Sequence, residues 1–311
     1  MLQSIWQDVQ QQFRYGNRVT QIILVNLAVF VVFLAARIIL RPESEIYATV
    51  IQFFQMSDSW LHNLTHPWVL LTYGFLHEEF FFHFIMNMLM FYWFGRIVGD
   101  LIGNQRVLPI YLWGVFVGGI TFWISSLVLP LNGSGAPSYM LGASAGVMAT
   151  IVAAAVTAPE YAIRLPLLGE VRIKYIALFV VLIDFIAFGK AGVTNQGGHF
   201  AHLGGVFMGY VFVSQLRNGT DMAVPVNRVF ESIRGFFLGL GGSNKKRPKP
   251  TLAYKAAGKS QSDKVAAAAK AKESDKQARL DAILEKIKAK GIDSLSPEER
   301  DFLSLASRNN S

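Results

Sequence analysis

The chain of 311 residues contains no cysteine. Disulfide bridges, thiolate nucleophiles and zinc–thiolate sites are therefore excluded. Charge is scarce as well. Only 16% of residues are charged, against 52% hydrophobic, where a soluble domain carries about a quarter charged. That balance belongs to a membrane protein. No short apolar core with a small-residue cleavage site opens the sequence, so no removable signal peptide is expected and the first apolar segment reads as a signal anchor. The charge that is present is uneven. Net charge is +8, yet the residues before Arg217 hold 10 Lys and Arg against 10 Asp and Glu, which leaves 19 against 11 for the last 95 residues. Such a tail reads as cytoplasmic and membrane-facing.

Six apolar segments precede that tail, at 20–40, 80–98, 107–129, 141–158, 173–188 and 199–216. The first and third have the roughly 20 apolar residues that a membrane-crossing helix requires. The last three are shorter and carry polar residues, which suits the inside of a bundle where short helices admit water. With the N-terminus inside, the cytoplasmic flanks hold Arg14, Arg18, Arg96, Arg106, Arg164, Arg172 and Lys174, and the outer flanks only Arg37, Arg41 and Lys190. Basic residues favour the cytoplasmic side, and six crossings return the basic tail there. The expected fold is an all-α membrane protein, a six-transmembrane-helix bundle with a C-terminal cytoplasmic helical tail.

Five regions follow. Residues 1–19 place Leu2, Ile5, Trp6, Val9 and Phe13 at helical spacing, either an interfacial cytoplasmic helix or a loosely ordered arm. Residues 20–216 form the bundle. In 217–250, Val226, Val229, Phe230, Ile233, Phe236 and Phe237 make a second interfacial stripe before KKRPKP, a contact for anionic lipids of the bilayer. Residues 251–278 are a flexible or weakly helical linker rich in Ala, Lys and Ser. In 279–311, Leu280, Ile283, Leu284 and Ile287 form one helical stripe ended by Gly291, and Ser296-Pro297-Glu298-Glu299 reads as an N-cap, an N1 proline and a capping-box Glu. This small helical hairpin suits docking or regulation.

Segments two, four and six run in the same direction, from outside to inside. His83, Ser144 and His202 each lie a few residues into the outer end of one of them, so all three fall in one shallow layer within reach of outside water. Unpartnered polar groups are costly in hydrocarbon. Ser144, in LGASAGVM at a helix start, and His202, in HFAHLGGVFMG, can form a nucleophile and its general base. Gly142 and Gly146, and Gly205 and Gly209 with Ala201, give segments four and six small faces for close packing. His83 and Asn87, four residues apart, present two donors on one helix face, as an oxyanion hole requires. Each feature alone has a plainer reading: packing for the serine, interhelical hydrogen bonds for the histidines and the asparagine.

A metal site built from His83, His199 and His202 is not expected. The run is H-F-A-H where a zinc protease needs H-E-x-x-H, and no acidic residue is close in sequence. Asp184, near the outer end of segment five, is a buried-carboxylate candidate that could complete a triad, but its position reads rather as a capping or snorkelling group and it stays outside the catalytic set.

These residues resemble the rhomboid intramembrane serine proteases. The resemblance covers about 67–216: PWVLLTYGFLH, then HFIMN, GASAG and AHLGGVFMG, in order. It implies a six-helix rhomboid-like bundle, a Ser–His dyad in place of a triad, and no cofactor. By it Ser144 is the nucleophile and His202 the base, and His83, Asn87 and the Ser144 backbone N–H form the oxyanion hole. The implied partners are transmembrane substrates, usually single-pass, cut near the membrane surface and commonly after a small residue. The implied setting is a bacterial-type inner membrane with both termini cytoplasmic; no nucleic-acid partner is expected. Three positions depart from the family pattern. Ala145 stands where a glycine is usual and adds a methyl beside the nucleophile, Met148 replaces an aromatic residue under the histidine, and Trp68-Val69 replaces Trp-Arg. A rhomboid-like pseudoprotease that binds transmembrane segments without cutting is the alternative, though such binders typically lack one member of the Ser–His pair. A transporter would need an inverted repeat or matched broken helices, and the sequence shows neither.

Overall fold

The computed structural model describes residues 7, 10–12, 16–78, 81–128, 137–165, 169–188, 196–240, 281–283, 285–288 and 296–299. Two compact units divide the chain, Met1–Phe237 and Leu238–Ser311.

Helix α1 (Arg18–Leu40) starts where extended Asn17 accepts the Thr20 amide at 2.9 Å. Such a cap satisfies one of the orphan amides of the first turn. Its 23 residues reach about 34 Å at the helical rise, enough for a hydrocarbon core of about 30 Å. Val31, Val32, Ile38 and Ile39 are exposed on it, a surface that lipid solvates without the cost water would impose. Helix α2 (Glu45–Gln52), strand β1 (Met56–Ser57), helices α3 (Trp60–Thr65) and α4 (Val69–Thr72) and a 3-10 turn at Tyr73–Phe75 then lead to α5 (Phe81–Val98). A π turn and a 3-10 turn join α5 to α6 (Val107–Val128), with Gly103 between them at φ 101, outside helical space. Among the described residues two runs, Arg18–Leu40 and Phe81–Val128, are long and apolar enough to cross a membrane.

Strand β2 (Tyr139–Met140) precedes α7 (Ser144–Thr157); β3 (Ala162–Leu165) and β4 (Gly169–Arg172) precede α8 (Ile173–Phe188), followed by α9 (Gln196–Arg217) and α10 (Ala223–Leu240). The chain is predominantly helical, but the all-α expectation needs correcting by two small antiparallel ladders. One pairs Met56 with Met140 and Ser57 with Tyr139; the other pairs β3 with β4. The first joins residues over 80 apart, a pairing that local periodicity does not encode.

Helices α6, α7 and α9 form the centre, with α5 against α7. Gly205 and Gly209 set the closeness of α9: a Cβ there would lie 2.2 Å from the Ala145 carbonyl and 2.3 Å from that of Ala149. Only a residue without a side chain lets the backbones approach this far. The partner face on α7 differs from the expected Gly142 and Gly146. Gly146 faces the Tyr111 ring of α6, and Gly142 precedes the helix. What meets α9 is the backbone of Ala145 and Ala149, while their methyls pack against Gly118 and Gly114 of α6. A half-buried Arg106–Asp221 ion pair at 2.8 Å holds the start of α6 to the turn before α10, and Asp221 also accepts the Ala223 amide at 2.9 Å. On α10, Val229, Phe230, Ile233 and Phe236 are exposed as one apolar face.

In the second unit Ile283 is buried. The Ser296 amide donates to Glu299 at 2.8 Å and the Glu299 amide to Ser296 Oγ at 3.3 Å, a closed capping box. Lys286 donates to the Glu299 carboxylate at 2.7 Å and holds its pKa below the ordinary value. The stripe at Leu2, Ile5, Trp6, Val9 and Phe13, the basic run 245–250, the linker 251–278, and Leu280, Leu284 and Gly291 lie outside the described residues.

Candidate active site

Ser144 is the first residue of α7. The approach to it is held from two sides. The β1–β2 ladder is extended by Asp58, whose amide donates to the Ser138 carbonyl at 3.0 Å and whose carboxylate accepts the Ser138 amide at 2.9 Å. Gly142 then donates to the Tyr73 carbonyl at 3.0 Å, while the Tyr73 hydroxyl donates to Val115 of α6 at 2.6 Å. Gly142 has φ 137, a conformation L side chains rarely adopt, and this bend turns the chain into α7 with the serine at its tip. As at any helix start, the first amides of α7 have no acceptor within the helix and point outward.

The Ser144 Oγ lies 2.6 Å from His202 Nε2, the side chain of the second turn of α9. Both belong to helices held together by the Gly205 and Gly209 contacts, so backbone packing sets this distance. The opposite nitrogen, His202 Nδ1, lies 2.6 Å from Asp184 Oδ1 near the end of α8, and His199 Nδ1 lies 2.7 Å from the same oxygen. The expectation that Asp184 caps or snorkels is thus corrected: its side chain is only 11% exposed and faces two imidazoles. A carboxylate only accepts, so both Nδ1 atoms carry hydrogens. His202 Nε2 is then the nitrogen with a free lone pair, aimed at the serine hydroxyl. This tautomer follows from the hydrogen-bond pattern.

Asp184, His199 and His202 offer ligand atoms within 4.8 Å of one another. Their 2.6 and 2.7 Å separations are hydrogen-bond lengths, shorter than the roughly 3.3 Å between two ligands of a tetrahedral zinc ion with bonds near 2.0 Å. The cluster has the spacing of a hydrogen-bonded carboxylate between two imidazoles.

Two cavities meet at Ser144. One, of about 50 Å³, is bordered by His83, Glu78, Gly142 and His202. The other, of about 140 Å³, is mostly apolar and is bordered by Asn87, Met90, Met148 and Val180. His83 and Asn87 thus each border a cavity that Ser144 also borders, but not the same one. Asn87 Nδ2 donates one hydrogen to the His83 carbonyl at 2.9 Å, leaving its second. The Nδ1 of His83 is buried without a partner among the described residues.

The departures from the family pattern also find their places. The Ala145 methyl points away from both cavities, toward Gly118 of α6, where an added Cβ would meet it at 2.7 Å. It fills the helix interface and does not crowd the serine. Met148 borders the apolar cavity. Trp68 donates to the Phe53 carbonyl at 2.8 Å, and Val69 is fully buried, so this segment is anchored by packing.

Fold and site together define a predominantly helical protein with membrane-length apolar helices and a serine–imidazole pair at a helix tip. Residues 64–218 match the rhomboid domain, and through that domain the chain belongs to the rhomboid family. Members of that family are membrane-embedded and generally serine intramembrane proteases. Residues 269–309 match a family of unknown function, DUF6576. No curated protein matches the chain.

Proposed function

We propose that this protein is an intramembrane serine endopeptidase of rhomboid type, cutting transmembrane segments, usually of single-pass proteins, near the outer face of a bacterial-type inner membrane. The observation that carries the reading is the 2.6 Å contact between Ser144 Oγ and His202 Nε2. Helices α1, α5, α6, α7, α8 and α9 serve as six spans with both termini cytoplasmic. The 14 residues of α7 extend only about 21 Å, short of the bilayer core, but ten of them are buried by neighbouring helices. A short central helix of that kind needs no lipid contact at either end.

As Ser144 Oγ bonds to the scissile carbonyl carbon, its proton passes to His202 Nε2. The carbonyl oxygen becomes an oxyanion facing the Ser144 amide, His83 and the second Nδ2 hydrogen of Asn87. The C–N bond then breaks as His202 returns the proton to the leaving amine. Water from the outer side hydrolyses the acyl-enzyme by the same base. No cofactor enters any step. The basic run at 245–250 contacts anionic lipid on the cytoplasmic side.

Labelling with a fluorophosphonate probe tests the reading. Wild type should label, whereas Ser144→Ala and His202→Ala should neither label nor cleave a model transmembrane substrate. The double variant should be no worse than either single one, because the pair acts as a unit. Cleavage by folded Ser144→Ala would overturn the assignment. Binding of transmembrane segments without labelling would favour the pseudoprotease.

A further inference from the structure

We propose that Asp184 is a positioning residue of this reaction: it holds His202 by Nδ1 so that Nε2 faces Ser144, and it shares its carboxylate oxygen with His199. The proposal rests on the protease reading and adds a third and a fourth side chain to it. Four atoms form a chain, Ser144 Oγ, His202 Nε2 and Nδ1, and Asp184 Oδ1, with 2.6 Å at both hydrogen bonds.

The physical problem is that an imidazole held on one side only is a poor base. His202 could rotate, or carry its hydrogen on Nε2 and present a donor where an acceptor is needed. Packing alone does not choose between these states, because both tautomers have nearly the same shape. A carboxylate at Nδ1 does choose. It accepts a hydrogen there and leaves the Nε2 lone pair for the serine, and its negative charge compensates the imidazolium formed during attack.

The cluster also answers how a carboxylate persists with its side chain only 11% exposed. A buried charge is tolerated only when it is paired or hydrogen-bonded. Asp184 Oδ1 accepts from both His202 Nδ1 at 2.6 Å and His199 Nδ1 at 2.7 Å. The rings of His199 and His202 stand edge to face with centroids 5.8 Å apart, so neither displaces the other from the shared oxygen. His199 thus steadies the carboxylate that steadies His202. During the reaction the Asp184 carboxylate keeps its charge and the Nδ1 hydrogen stays on His202. Only the serine proton moves, from Oγ to Nε2 and then to the leaving nitrogen.

The test uses the full-length protein in detergent with a model transmembrane substrate, comparing wild type, Asp184→Asn, Asp184→Glu and Ser144→Ala. Asp184→Asn keeps shape and one acceptor but removes the charge. It should lower kcat by up to about 10⁴-fold, the loss an Asp→Asn change causes in a soluble triad, with KM changed by no more than about threefold because substrate binding is untouched. Asp184→Glu should restore part of kcat. Nitrogen NMR on ¹⁵N-histidine protein gives a readout that a merely structural role would not move. The His202 Nδ1–H tautomer should dominate in wild type and lose its dominance in Asp184→Asn. Folded Asp184→Asn with wild-type kcat and an unchanged tautomer would overturn the proposal while leaving the protease reading intact. Cleavage by Ser144→Ala would instead defeat the protease reading. Activity lost on chelation and restored by zinc would also overturn the proposal, since Nδ1 would then bind a metal.

Discussion

Gly205 of α9 sits so close to Ala145 of α7 that a Cβ on it would lie 2.2 Å from the Ala145 carbonyl oxygen. The oxygen is backbone, so it cannot swing aside as a flexible side chain would. Gly205→Ala should therefore push α9 away from α7 and destabilise the protein by about 1–3 kcal/mol, the usual cost of overpacking a tight core. Because the same contact sets the distance from Ser144 to His202, activity per folded molecule should fall as well. Thermal unfolding in detergent and a cleavage rate normalised to folded protein measure the two effects. A variant as stable and active as wild type would show that this contact is not what fixes the pair.

His83 and Asn87 border two different cavities that both include Ser144, and in the proposed mechanism both face the oxyanion. Asn87→Ala should slow cleavage by about 10²-fold, toward the lower end of the cost of an oxyanion donor, since the Ser144 amide and His83 remain. The double variant with His83→Ala should lose more than either single one. Ser144 should still react with a fluorophosphonate in Asn87→Ala, at a reduced rate. Unchanged turnover in the double variant would make this face structural.

His77 lies between the Tyr73–Phe75 turn and α5, among the rings of Phe30 and Phe84. Burial pushes its pKa down to about 4, with His83 acting in the same direction. It is therefore neutral in the folded protein where the unfolded chain, titrating near 6.5, already takes up a proton. Stability from this group is fully present above 6.5 and is lost as pH falls through 6.5 toward 4. Between pH 7 and 5 the loss should be about 2 kcal/mol. The acid shift between thermal melts at the two values should shrink in His77→Phe, and an equal acid shift in that variant would exclude His77 as the source.

Truncation after Ser243 removes the second family match at 269–309 and nearly all of the second compact unit, while sparing every residue placed at the site. Cleavage per folded enzyme in detergent should be unchanged, and abundance or localisation in cells should change if the hairpin docks a partner. A truncated protein that folds but does not cleave would show that tail and site are coupled.

The amino-acid sequence by itself determined where the long helices lie. Apolar runs expected at 107–129 and 173–188 are helices at Val107–Val128 and Ile173–Phe188, because a long uninterrupted apolar stretch between polar breaks leaves the chain little other choice. It also marked His83, Asn87, Ser144 and His202 as the polar residues that segments of this kind must justify. The short elements were not legible. Helices Glu45–Gln52 and Trp60–Thr65 start on local serine caps, Ser44 and Ser59, that accept the Tyr47 and His62 amides but were too short to stand out, and the β1–β2 ladder depends on a tertiary contact. Asp184 shows the same limit at the site. Its depth near the end of α8 could be read from the sequence, but its partner could not. Helix α8 is apolar on all sides apart from that one carboxylate and its basic start, so nothing in its pattern specifies rotation about its own axis. Only packing against α9 turned Asp184 toward His202. In the same way, Ala145 rather than Gly146 met α9 because one residue along a helix is a turn of about 100°, and contact between two surfaces, not spacing along one, selected the face.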